Sequence, residues 1–413
     1  MASIYRSIDL RRSAPAPVPA AAPARIVSRW PLYEEDEIAA VTEVLRSGRV
    51  NALHHGERCT AFEEGFAALC GQPHAIALAN GTLALEVALR ALGIGPGDEV
   101  IVPARSFVAS ASCVVACGAK PVFADIDPVS QGLTADHVAQ CVTARTRAVI
   151  LVHLGGYPAA ADEIALLADQ LGIRLIEDCA QAHGATLAGR PVGGFGDAAA
   201  FSFCTDKIIS TGGEGGMLVL RDAEVARRAW SLKDHGKDRD AVHTPSEGHG
   251  FRWLHRHFGS NYRLTEMQAA IGLAQLERLP QSIEIRRRNA AAILDELGGS
   301  RALRLIRPEG EIGHAYYKFY AFLYPDALKP HWTRDRIVEE AWRRGIPCQS
   351  GICPEIYRER AFVDAGIGPD HRLPVARLLG ETSLMLPVDP TLDEESCRAM
   401  GRILRAVVDE GSR

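Results

Sequence analysis

Aromatic residues are scarce in this 413-residue chain, at 6%, and basic residues do not outnumber acidic ones: 46 Lys and Arg stand against 51 Asp and Glu, a formal charge of −5. Without a positive surplus there is no electrostatic footprint for a nucleic-acid backbone, and an anionic small molecule has to be held by local donors. No uncharged apolar run approaches the ~18 residues that would span a bilayer. The ten cysteines, at 59, 70, 113, 117, 141, 179, 204, 348, 353 and 397, form no C-x-x-C pair. Cys113 and Cys117 are one helical turn apart, but no further His or Cys stands nearby to complete a metal site. Reduced, mostly buried thiols of a cytoplasmic protein are expected. A leucine-rich core near the N-terminus is missing too. The stretch A-P-A-P-V-P-A-A-A-P-A stands there instead, so no signal peptide is expected and residues 1–28 read as a mobile Ala/Pro-rich tail.

What is present suits a packed globular protein, with 47% hydrophobic and 23% charged residues. Short apolar runs at 75–79, 100–103, 121–124, 148–153, 174–177, 198–203 and 217–220 alternate with helical stretches that include 36–46, 83–92, 106–117 and 160–171. Continuous rather than alternating apolar strands, separated by helices, predict an α/β fold with a mostly parallel sheet covered on both faces. After a helical stretch at 265–279, Arg286-Arg287-Arg288-Asn289 lies on a long helix leading out of that domain. The rest has fewer strands, the best at 316–323, and helices near 333–344 and 391–409, which predicts a smaller α+β domain. The boundaries are drawn at 29–285 for the large domain and 286–413 for the small one.

Four segments carry chemistry. Asn80-Gly81-Thr82 lies between a strand and a helix, where free backbone N–H groups and a hydroxyl suit a phosphate; a plain N-cap by Thr82 is the alternative. In Ile176-Glu177-Asp178-Cys179-Ala180-Gln181-Ala182-His183-Gly184 an acidic pair ends a buried strand, on the edge where open α/β sheets place their ligands. An aspartate there serves a protonated pyridine nitrogen, or else a helix cap or an ion pair. Phe201-Ser202-Phe203-Cys204-Thr205-Asp206-Lys207 runs into Ser210-Thr211-Gly212-Gly213-Glu214-Gly215-Gly216. A lysine just past an apolar strand, followed by glycines that permit close backbone approach, suits a Schiff-base lysine. Finally, Asn261 and Arg263 precede a helix whose Thr265 and Gln268 form a capping box, and both suit phosphate or carboxylate.

In this order the segments resemble the DegT/StrS group of nucleotide-sugar aminotransferases, pyridoxal 5'-phosphate (PLP) enzymes of fold type I, over roughly residues 30–400. The E-D-C-A-Q-A-H-G and F-S-F-x-x-x-K…G-E-G-G signatures carry the resemblance. It implies that Lys207 forms a Schiff base with PLP and moves the proton, and that Asp178 keeps the pyridine nitrogen protonated. By the same resemblance Gln181 lies near the ring, Gly81, Thr82 and Ser202 bind the phosphate, and Phe107 stacks on the pyridine face. Asn261 reaches the phosphate of a neighbouring subunit, which implies a homodimer with shared sites. His183 and Lys318 face the substrate side, with packing as the other role for His183. The implied reaction moves an amino group from glutamate or glutamine to a keto sugar, most often nucleotide-diphosphate-linked, by ping-pong kinetics in amino-sugar and polysaccharide biosynthesis.

The sequence departs from the family pattern at Lys318, where His or Trp is expected, and over 348–357, which lacks a His/Pro-rich stretch. An extra residue also follows Lys207 before G-E-G-G. Three alternatives stand beside this reading: a cyclitol ketone aminotransferase, a PLP-dependent sugar dehydratase, and a non-catalytic sensor of the same fold. Lys207 counts against the dehydratase, in which a histidine replaces it.

Overall fold

The computed structural model describes residues 25–244 and 250–413. Uninterrupted apolar strands are stable side by side only where both faces of their sheet are covered. In chain order they are β1 (His74–Leu78), β2 (Glu99–Pro103), β3 (Lys120–Ala124), β4 (Thr146–Val152) and β5 (Arg174–Asp178). A short hairpin of β6 (Thr186–Leu187) and β7 (Arg190–Pro191) follows, then β8 (Ala198–Ser202) and β9 (Gly216–Leu220). Seven of these assemble in the order β1-β9-β8-β5-β4-β2-β3. The neighbours from β3 to β8 are parallel, and β9 runs antiparallel between β8 and β1. All seven strands read from the sequence are present, with their ends moved by at most two residues.

Alternation along each strand divides the core between the two faces. Ala148, Ile150 and Val152 of β4 face one cluster together with Val100 and Val102 of β2, while Val149, Leu151 and Ile101 face another. In β8 and β9 the second face, with Phe201, Met217 and Val219, joins Phe62, Phe66 and Phe203 in an aromatic cluster.

Some expectations moved. The strand expected from 316 starts at Phe319, because Tyr316 has a positive φ of 48° that no strand accommodates. The helix expected from 106 starts at Ala109. The stretch at 265–279 and the arginine-rich helix are one helix, Glu266–Leu297, which continues through Pro280 and packs against helices Glu35–Ser47, Glu57–Cys70 and Glu394–Gly411. Its capping box is the one expected: the Gln268 amide donates to Thr265 Oγ1 and the Thr265 amide to Gln268 Oε1. Glu266 in turn accepts the amides of Arg58 and Cys59, at 2.8 and 2.9 Å, at the start of helix Glu57–Cys70.

The division drawn at 285/286 therefore falls inside a helix. Beyond it, β10 (Leu303–Leu305), β12 (Phe319–Leu323) and β13 (Ser383–Leu386) form a separate antiparallel sheet with its own core, while β11 (Ile312–Gly313) pairs with β6. The chain then returns to the large sheet. Tyr357 and Phe362 pack edge-on against Phe123, and Asp125 accepts the amides of Val375 and Ala376. Residues 1–24 of the expected tail lie outside the described residues. Residues 25–28 are held: the Ile26 amide donates to the Gly345 carbonyl at 2.9 Å and Ser28 Oγ to Asp389 at 2.7 Å. Among the described residues no helix is long and apolar enough to cross a membrane.

Candidate active site

Parallel strands all leave the sheet by the same edge, so the segments that follow β1, β2, β4, β5 and β8 converge at their carboxyl ends. A cavity of about 900 Å³ lies there, lined by Gly81, Thr82, Phe107, Asp178, Gln181, Ser202, Lys207 and Lys318 among others. These are eight of the ten residues singled out in the sequence, and they come from segments up to 237 positions apart.

The phosphate-like cradle is built by close approach. Asn80, not Thr82, caps helix Gly81–Ala91, its side chain accepting the Leu83 amide at 2.9 Å. Thr82 then sits at the second helical position with its hydroxyl free of that duty. A Cβ on Gly81 would stand 2.7 Å from Ser202 Cβ, so only glycine lets the helix start lie against the end of β8.

Glu177 and Asp178, adjacent at the end of β5, point to opposite faces and have different fates. Glu177 is fully buried and accepts the amides of Gly193, Phe195 and Gly196 and a ring nitrogen of His153. Burial raises its carboxyl, but these partners outweigh it and hold the pKa below the ordinary range. Asp178 has two partners, the Ser110 hydroxyl at 2.7 Å and the Ala180 amide at 3.1 Å. Burial wins there and pushes the carboxyl up, against the pull of those bonds and of the Lys207 charge. A bound cation would reverse that shift.

Lys207 sits in a tight turn, its amide donating to the Cys204 carbonyl at 3.0 Å. The glycines after it close the loop: Gly213 has φ +117°, a conformation other residues avoid, and accepts the Thr205 amide. Several groups around Lys207 carried no signal in the sequence. Trp30 Nε1 donates to the Lys207 carbonyl at 2.8 Å, and the Tyr33 hydroxyl bonds Ser210 and the Gly212 amide. The Lys207 and Lys318 ammonium groups lie 5.0 and 4.8 Å from the Tyr317 ring centroid, and the Tyr317 hydroxyl donates to Asp206. Burial raises Asp206, but the Lys207 charge and that hydroxyl hold it below the usual carboxylate range. Gln181 is oriented by the Gly155 amide at 2.8 Å.

The other two expected residues lie outside this cavity, and Asn261 is the one assigned to a neighbouring subunit's site. Asn261 is exposed, bridged to Asp234, and does not line this cavity. His183 is also outside it, fully buried among Phe66, Phe201 and Phe203, with neither ring nitrogen hydrogen-bonded among the described residues. Of its two expected roles the packing one fits. Burial and the Lys207 charge lower its pKa to about 3.

A model of the DegT/DnrJ/EryC1/StrS aminotransferase family matches residues 31–405. The chain belongs to that family. It is an aminotransferase, 38% identical to UDP-N-acetyl-3-dehydro-alpha-D-glucosamine 3-aminotransferase of Acidithiobacillus ferrooxidans, over 85% of this chain and 88% of that protein. It is also 38% identical to L-glutamine:2-deoxy-scyllo-inosose aminotransferase of Streptomyces fradiae, over 83% and 82%. The crystal structure of an aminotransferase from Psychrobacter cryohalolentis superposes with a TM-score of 0.90 at 46% identity, over 93% of this chain and 99% of that one. The fold of this aminotransferase is fold type I.

Two predictions follow from the local geometry. Trp30→Phe keeps an aromatic ring beside Arg286, whose guanidinium lies 5.3 Å from the indole, and deletes the N–H. Losing one hydrogen bond should speed amide exchange over 207–213 by about two- to ten-fold, measured by mass spectrometry. His183 is neutral when folded but free to protonate at about 6.5 when unfolded, so stability falls as pH drops below that value. His183→Phe should remove up to about 1.4 kcal/mol per pH unit of that slope, read from denaturation midpoints between pH 7 and 5.

Proposed function

We propose that this aminotransferase uses PLP to move an amino group from glutamate or glutamine to a keto sugar, most often one linked to a nucleotide diphosphate. The observation that carries the proposal is the single cavity that gathers Lys207, Asp178 and the Gly81–Ser202 cradle. These residues fit the cofactor. Asp178 is a buried carboxylate whose raised pKa calls for a cation, which a protonated pyridine nitrogen provides. The cradle offers first-turn amides and two hydroxyls to a phosphate. Phe107, 57% exposed at the cavity wall, offers a flat face to a ring. When bound, the cofactor supplies an electron sink.

The chain supplies the rest. Lys207 takes the proton from the amino-bearing carbon of the donor and, in the second half, returns one to the carbon that was the sugar carbonyl. The 2-oxo acid leaves before the sugar enters, which gives ping-pong kinetics. Asp178 holds its proton partner in place throughout, and Ser110 and Ala180 keep its carboxylate aimed at the cavity. A cyclitol ketone is the second acceptor class, favoured by the 2-deoxy-scyllo-inosose relative.

The same reading places the enzyme in the cytoplasm, supported by ten free cysteines, and makes it a homodimer. Phe251, Trp253 and Phe258 are 79%, 91% and 95% exposed on the segment leading to Asn261, an apolar surface that a second copy would cover.

Adding glutamate or glutamine to the PLP-loaded protein without sugar should bleach its visible absorbance. Lys207→Ala should slow this by about 10²–10⁴-fold. An absorbance that persists with both donors would sink the transamination reading. For the dimer, mixing inactive Lys207→Ala with inactive Asn261→Ala should restore activity that neither has alone, because hybrids regain one intact site. Mixtures as inactive as their parts would exclude the shared site.

A further inference from the structure

Lys207 is held at one end and met at the other. Its backbone is pinned by the Cys204 and Trp30 bonds given above, so its reactive nitrogen moves only with the side chain. That nitrogen lies 5.0 Å from the centroid of the Tyr317 ring, where the negative face of an aromatic ring attracts an ammonium. Tyr317 is buried and lines the same cavity.

The ring is a fixed surface. Arg286, itself buried, turns one nitrogen toward the carbonyls of Tyr316 and Tyr317, at 3.5 and 3.4 Å. The Ala315 and Lys318 amides donate to the carbonyls of Gly156 and Gly155, at 2.9 and 3.4 Å. The same guanidinium lies over the Trp30 indole, so one buried cation braces both flanks of the lysine. At its far end the Tyr317 hydroxyl donates to Asp206, the residue before Lys207. Burial raises the Asp206 carboxyl, and the Lys207 charge is foremost among the influences that lower it. Ring and carboxylate thus favour one form of Lys207, the ammonium.

That form exists only part of the time. While joined to the cofactor, Lys207 has no free ammonium. Once the donor's amine has taken its place, the side chain is released and carries the proton taken from the donor's carbon. A released lysine loses entropy when it is kept within reach, and its charge needs a partner in a desolvated cavity.

We propose that Tyr317 and Asp206 form the resting place of the released Lys207 ammonium. The ring carries the charge, and the carboxylate, fixed by the ring's own hydroxyl, keeps the nitrogen near the reacting carbon. Both are positioning residues, acting through Lys207 and not on the substrate. The proton balance is unchanged: the carbon–hydrogen bond breaks, its electron pair stays with the carbon and the electron sink, and the proton forms an N–H bond on Nζ. The inference rests on Lys207 being the cofactor's lysine, as read above.

The test is an equilibrium, because a resting place stabilises the released lysine relative to the bound one. The PLP-loaded protein is mixed with fixed ratios of glutamate or glutamine, whichever bleaches it, and the matching 2-oxo acid. The remaining visible absorbance gives the balance between the two forms. Tyr317→Leu should move that balance toward the lysine-bound form by about five- to thirtyfold. Asp206→Asn should move it the same way by less, and Tyr317→Phe and Tyr317→Trp, which keep a ring, should recover most of the Tyr317→Leu loss. Pyridoxamine 5'-phosphate leaves Lys207 free, so the full-length Tyr317→Leu protein, stripped of cofactor, should bind it as tightly as the parent does. If that binding weakens by the factor by which the balance moves, the ring holds the cofactor and not the lysine, and the inference falls. If Tyr317→Leu and Asp206→Asn both keep the parent's balance, the inference falls alone. If neither donor bleaches the parent, the transamination reading falls with it.

Discussion

Burial of both faces of one parallel sheet is the constraint from which the site follows. Along β4, Ile150 and Val152 face one core and Val149 and Leu151 the other, so neither face of the sheet is left for a ligand. What remains open is the edge, and because β1, β2, β4, β5 and β8 run the same way, five strand-to-loop transitions open there together. Asn80, Arg105, His153, Asp178 and Lys207 follow or end their strands at that edge, and four of these five loops contribute directly to the cavity wall.

At that edge the electrostatics are decided by how many backbone donors each side chain meets. Glu177 and Asp178 have nearly the same intrinsic acidity and are neighbours in the chain. Glu177 collects three amides and a histidine, and its charge is settled inside the protein. Asp178 collects one amide and one hydroxyl, so its ionised form still lacks a positive partner. An active site thus arises where the fold leaves a carboxylate incompletely satisfied. The cation side is similar: Lys207 and Lys318 both lie against the ring of one tyrosine, and Asp206 is tied up by that tyrosine's hydroxyl.

Much of this was legible beforehand. The seven strands of the large sheet declared themselves by short, continuous apolar runs, and the capping box at Thr265 by its spacing. Eight of ten expected site residues line one cavity, because motif residues sit at strand ends and a parallel sheet brings strand ends together. What the sequence left open or did not show has physical causes. Asn80 rather than Thr82 caps its helix, since the choice depends on where the strand releases the chain. His183 turned from the cavity into the Phe66–Phe201–Phe203 cluster, since the first residues after β5 curl back toward the core. Trp30, Tyr33 and Tyr317 could not be found, because hydrogen bonds across 111 to 177 residues leave no periodicity behind.

The sequence by itself determined the class of fold, the order of the strands along the chain and the chemical groups at their ends, because these depend on local pattern and spacing. Tertiary structure alone decided the strand order within the sheet, the seam by which the N-terminal segment holds the Lys207 loop, and the Tyr317 ring set against Lys207. Each of these joins segments far apart in the chain, and which distant segments meet is set by the packing of the whole molecule.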